Sequence, residues 1–129
     1  MNKRELPKKH KRKKPFPATN ESRKWLIERG WTVDTVEQVL PYGFIKRDCF
    51  NFADLLAFSP SRGIMLVQVT GGSGKSNMNA RVRKIQNEAR AGLWLAAGGL
   101  IQVHSWEVVK GQKERALRIV NIETQANEE

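Results

Sequence analysis

Two apolar segments joined by one turn constrain this chain more than any other feature. Phe52, Ala53, Asp54, Leu55, Leu56, Ala57 and Phe58 come first, and Ile64, Met65, Leu66, Val67, Gln68, Val69 and Thr70 follow. Between them lies Ser59, Pro60, Ser61, Arg62 and Gly63, a turn signal that makes the pair a β-hairpin with a longer loop. Folding the hairpin about Ser61 sets Asp54 opposite Gln68. Side chains two residues apart share a strand face, so Thr70 joins the same polar group. Polar groups placed inside apolar strands need partners or a purpose. A carboxylate and two polar side chains on one sheet face can hold a divalent cation. An ordinary polar strand face is the competing reading of Gln68 and Thr70, and an Asp capping a turn is that of Asp54.

Charge narrows the partner. The 129 residues, enough for one domain, carry a formal net charge of +10. Eight Lys or Arg against the single acid Glu5 fall in residues 1–14. With Pro7, Pro15 and Pro17 as punctuation and no apolar stripe, residues 1–17 read as a disordered basic arm. Residues 18–124 read as a single folded domain and 125–129 as a frayed tail. A basic footprint of this kind favours nucleic acid, DNA above all, as partner. A solubility tail or a nuclear-localisation-like run is the plainer alternative. No apolar run is long enough to cross a bilayer, and the arm lacks the apolar region of a secretory leader, so no membrane or secreted partner is expected. The single Cys49 excludes an internal disulfide and fits a reducing cytoplasm.

The spacing predicts a first helix N-capped by Thr19 or Asn20 and ended by Gly30. A strand over 31–40 follows, with a break or bulge near Asp34, and then a segment over 44–51 that is strand or loop. After the hairpin and a Gly/Ser loop over 71–77, one long helix is predicted over 79–97. Val82, Ile85, Ala89, Leu93 and Ala96 form its apolar stripe. Strands over 100–108 and 115–122 close an α-β-β-β-α-β-β order, an α/β fold with a mixed sheet covered by helices.

These blocks together resemble the PD-(D/E)XK nuclease superfamily, and within it the Holliday-junction-resolvase-like branch and small phage or prokaryotic proteins related to it. The likeness spans residues 20–106. It rests on Glu28-Arg29-Gly30-Trp31, on the Phe52–Leu56 block, on Ala80-Arg81-Val82-Arg83-Lys84-Ile85, and on the run from Gly98 to Trp106. It implies a restriction-endonuclease-like αβββαβ core and Mg²⁺-dependent (or Mn²⁺-dependent) hydrolysis of DNA phosphodiesters. Branched DNA is the implied substrate, and junction cleavage favours a homodimer. The family's acidic-x-Lys triplet is here Gln68-Val69-Thr70, so one ligand has lost its charge and the strand lysine is missing.

On that resemblance the metal residues are Asp54, Gln68 through its amide oxygen, the Val69 carbonyl and Glu21, whose place before Gly30 is similar to that of the branch's first-helix glutamate. Glu28 is the alternative acid. Thr70 orients water, and Lys84 or Lys75 stands in for the missing lysine. Backbone contacts to DNA are assigned to Lys8, Lys9, Lys11, Arg12, Lys13 and Lys14 of the arm, with Lys75, Arg81, Arg83 and Lys84 of the later helix. A DNA-binding module with a degraded site is the second reading. Residues 69–76 also look like a nucleotide phosphate loop, but Val69 stands where that motif needs glycine. His104 and Trp106 read as packing residues, and two His with one Cys offer no zinc cluster.

Overall fold

The computed structural model describes residues 15–39, 41, 46–71 and 75–124, with Lys75 and Ser76 described by backbone alone. The arm over 1–14, the centre of the Gly/Ser loop and the tail over 125–129 lie outside the described residues. The elements are α1 (Ala18–Glu28), β1 (Thr32–Thr35), β2 (Gln38–Val39), β3 (Lys46–Arg47), β4 (Leu55–Ser59), β5 (Gly63–Thr70), α2 (Lys75–Gln86), α3 (Ala89–Ala96), β6 (Leu100–Glu107) and β7 (Ala116–Ile122). Five strands form one mixed sheet in the order β1-β4-β5-β6-β7, and β2 with β3 forms a separate two-stranded ribbon. Among the described residues only the β5–β6 pair is parallel, and the α2–α3 crossover joins it. Among the described residues no helix is long and apolar enough to cross a membrane.

The hairpin folds about Ser61 as its sequence requires. Ser59 pairs with Gly63 and Leu55 with Val67, and Gly63 takes φ +105°, a value that suits a residue without Cβ. The ladder continues one residue beyond β4, where the Asp54 N–H donates to the Val67 carbonyl at 2.9 Å. β5 is buried on both faces. Met65, Val67 and Val69 join Leu26, Trp31, Leu55 and Ala57 in a core that includes α1, while Leu66 joins Phe52, Met78, Ile85, Ile101 and Val103 in one that includes α2. A strand covered on both sides reads as a near-continuous apolar run, which is how 64–70 reads.

α1 is pinned to β6 by a buried polar relay. The Trp106 Nε1–H donates to Ser22 Oγ at 2.8 Å, and Ser22 Oγ lies 2.9 Å from His104 Nδ1. Gln102 Oε1 lies 3.0 Å from His104 Nε2. With the amide oxygen accepting, the proton sits on Nε2, and the Ser22 hydroxyl donates to Nδ1. Burial pushes His104 down to about 4, which keeps its ring neutral near pH 7. Its reading as a packing residue holds, with a specific tautomer added. Phe16, ahead of α1, packs 5.7 Å from Trp106.

Three local expectations need correction. α1 begins at Ala18 with Pro17 at the cap position and no side-chain cap, because the Pro17 carbonyl already accepts the Glu21 N–H at 3.0 Å. The strand over 31–40 breaks at Val36 and Glu37, just past the expected place. There the Val36 N–H turns to the Asp54 carbonyl at 3.0 Å and the chain leaves for the ribbon. The long helix over 79–97 is two helices. Glu88 adopts an extended backbone and accepts the Arg90 N–H on its side chain, which starts α3 anew. The restart changes the buried face. Val82 and Ile85 pack as expected, but Ala91, Trp94 and Leu95 replace Ala89, Leu93 and Ala96, and Leu93 is 69% exposed.

Candidate metal centre

Asp54 sits one residue before β4, at the end of the sheet where β5 runs out toward α2. The Val69 N–H donates to its Oδ2 at 2.7 Å, and Gln68 Nε2 donates to the same oxygen at 3.0 Å. Gln68 Nε2 also reaches the Val69 carbonyl at 3.3 Å. Both contacts fix the amide's orientation, since a flipped amide would set oxygen against a carboxylate and a carbonyl. The consequence falls on Gln68 Oε1. It is buried and has no hydrogen-bond partner among the described residues. A buried acceptor left unpaired costs free energy unless something else fills that role.

Two further carboxylates arrive from the excursion between β1 and β4. Glu37 lies at the break after β1, and Asp48 lies just past β3. One oxygen from each of Glu37, Asp48 and Asp54 falls within 4.8 Å of the others. Asp48 is aimed by a tight turn in which the Asn51 N–H donates to the Asp48 carbonyl at 3.1 Å and the Ala53 N–H to the Cys49 carbonyl at 2.8 Å. That turn puts Phe50 at φ 54° and Asn51 at φ 68°. Asn tolerates the left-handed region, whereas Phe does so at a cost of about 1–3 kcal/mol. Arg90 stacks 5.5 Å from the Phe50 ring centroid and helps to cover it.

The carboxylates strain one another. Burial pushes the Asp54 carboxyl up to about 7. The Val69 N–H opposes that rise, while the charges of Asp48 and Glu37 add to it. Positive charge stands nearby. Lys46 Nζ is 3.7 Å from Glu37 Oε1. Lys46 and Arg81 line the same cleft as the three acids and Gln68, a space of about 730 Å³ that Phe16, Pro17 and Thr19 also line. Hard cations such as Mg²⁺ and Mn²⁺ take oxygen ligands. Three carboxylates, an unpaired amide oxygen and the Val69 carbonyl form a donor set that fits one.

The structure brings together Asp54, Gln68 and Val69, as the hairpin register requires, with Arg81 on the rim of their cleft. Thr70 is buried two residues further along the Gln68 face. Glu21 is elsewhere. Its carboxylate lies 3.9 Å from Lys24, outside the acidic group, and Glu28 lies beside Arg29 at the far end of α1. α1 directs its N-terminal backbone at the cleft while Glu21, a turn in, faces its own lysine. Arg83 and Lys84 are exposed on α2 and do not line the cleft, and the Lys75 side chain and the arm lysines lie outside the described residues. No periodic pattern in the sequence marks Glu37 or Asp48, because Glu37 falls where the alternation of 31–40 fails and Asp48 in a stretch without periodicity. One compositional signal was available. All three aspartates of the chain fall between residues 34 and 54, and no acid occurs from 55 to 87. Comparison of the chain with models of protein families, with curated proteins and with solved structures gives no match.

Proposed function

We propose that this protein is a divalent-cation-dependent DNA endonuclease of the PD-(D/E)XK type. Glu37, Asp48 and Asp54 are the charged ligands of Mg²⁺ or Mn²⁺, and Gln68 Oε1 and the Val69 carbonyl are neutral ones. The observation that carries this reading is the convergence of three carboxylates beside a buried amide oxygen that lacks a donor. The meeting of Asp54, just ahead of β4, with Gln68 of the adjacent β5, before a helical crossover, supports it, as does the net charge of +10. Branched DNA as substrate and a homodimer as the active form belong to the same resolvase-like reading.

A bound Mg²⁺ or Mn²⁺ supplies a water of lowered pKa and positive charge for the phosphoryl oxygens. The chain's own residues prepare for it. The Val69 N–H and Gln68 Nε2 anchor one oxygen of Asp54, so the orientation of its carboxylate is set in advance. The proton that Asp54 holds near neutrality has to leave before that carboxylate can ligate, so cation uptake releases protons and weakens at acid pH.

The neutral pair Gln68 and Thr70, where the family has an acid and a lysine, favours a second reading, a DNA-binding module with a degraded site. Cleavage of a four-way junction and of linear duplex in Mg²⁺ or Mn²⁺ decides between them. Cutting by the wild type that Asp54→Asn abolishes supports the nuclease. A wild type that binds but does not cut, together with a Gln68→Glu/Thr70→Lys variant that gains cleavage, favours the module. No cutting by either protein, with folding and cation binding verified, overturns a nuclease geometry altogether.

A further inference from the structure

Resting on the cation site just described, we infer that Lys46 and Arg81 form a two-sided clamp for a nucleic-acid phosphodiester, and that the Glu37–Lys46 contact couples phosphodiester binding to the divalent cation. The two cations reach one cleft from unrelated elements, Lys46 from the β2–β3 ribbon and Arg81 from the second turn of α2. Arg81 is half-buried there and has no ion pair or hydrogen bond among the described residues, an arrangement that leaves its guanidinium fork for an anion. The first turn of α1 adds the positive end of an 11-residue helix without a side-chain cap, and Thr19 and Asn20 face the same space.

Three carboxylates line the same cleft, and on their own they repel a phosphodiester. Neutralising them with a divalent cation reverses the sign of the potential that an incoming phosphate meets. Lys46 takes part in the exchange. In the cation-free protein its ammonium group neighbours Glu37 at 3.7 Å, and 67% of its side chain is exposed. A cation on Glu37 displaces Lys46, which then serves the phosphate. Because coupling between two ligands is reciprocal, the phosphodiester tightens the cation by the same factor.

The test uses the full chain, Ca²⁺ as a non-cleaving cation and a thymidine dinucleotide as the probe, read by titration calorimetry. In wild type the dinucleotide binds at saturating Ca²⁺ and not in EDTA. Lys46→Met shifts the two ligands in opposite directions. Ca²⁺ binds about two- to fivefold more tightly, because a competing exposed ion pair is gone, and the dinucleotide binds about tenfold more weakly. Arg81→Met weakens the dinucleotide about tenfold as well, whereas Arg29→Met, at the hairpin-turn end of the sheet where its carbonyl accepts from Arg62, changes neither. Lys46→Arg restores dinucleotide binding. Equal losses in all three methionine variants, or Lys46→Met weakening Ca²⁺, overturn the clamp while the cation site stands. A wild type that binds no Ca²⁺ overturns both.

Discussion

Gln68 and Asp54 face each other across the β4–β5 register, and the hydrogen bond between them leaves the glutamine's own carbonyl oxygen buried without a donor. The amide therefore neighbours the carboxylate in two capacities. Its nitrogen orients Asp54, and its oxygen offers a donor atom that carries no charge.

Asp54 makes the cation-free fold less stable as pH rises. Its folded pKa, about 7, lies above the ordinary 3.8, so the folded protein retains a proton that the unfolded chain has lost. That stabilisation is complete below about pH 4 and is lost as pH passes through 7, roughly 4 kcal/mol in all. Thermal unfolding in EDTA from pH 4 to pH 8 measures it. Asp54→Asn removes this falling contribution, leaves the opposite one of His104, and melts higher than wild type at pH 8, and Mg²⁺ raises the melting temperature of wild type only.

His104 acts in the other direction. Its folded pKa of about 4 is below the ordinary 6.5, so its contribution is complete above 6.5 and is lost as pH falls through 4. Ser22→Ala leaves both Trp106 Nε1 and His104 Nδ1 without their buried partner and costs about 1–3 kcal/mol. Denaturant unfolding checks the loss, and imidazole ¹⁵N shifts of wild type report the Nε2–H tautomer.

Gln68→Glu places a fourth carboxylate beside Asp54. Mg²⁺ binding tightens by about tenfold, since a charged ligand replaces a neutral one. The same variant melts lower than wild type in EDTA at pH 8, where the added like charge has no counterion. Calorimetric titration and thermal melts measure the two effects separately.

Deleting residues 1–14 flattens the dependence of DNA affinity on salt. Each phosphate neutralised by a lysine or arginine releases condensed counterion, at about 0.9 in slope per contact on duplex DNA. Binding isotherms between 50 and 200 mM salt check it, and an unchanged slope removes the arm from the interface.

The hairpin and its polar face were legible because turn length and strand periodicity together leave one register, and that register alone brings Asp54 to Gln68. Glu37 and Asp48 were not. Two-residue strands carry no periodic signal, and the turn that aims Asp48 places Phe50 in a conformation its composition does not advertise. The helix break at Glu88 was hidden for the opposite reason. Apolar residues at 82, 85, 89, 93 and 96 continue a regular helical spacing straight across it, and only the extended Glu88 backbone reveals that the buried face has moved to Ala91 and Trp94.

Pro15, Phe16 and Pro17 line the cleft, so the fourteen residues that carry eight cations are attached at the rim of the acidic centre. Fully extended, such a segment spans at most about 50 Å. An anionic strand held anywhere along it is confined to a small volume around Asp54, and its local concentration there is of the order of millimolar, whatever its concentration in solution. If the arm holds such a strand, tethering at this point would turn weak, sequence-blind capture into frequent encounter with one set of carboxylates.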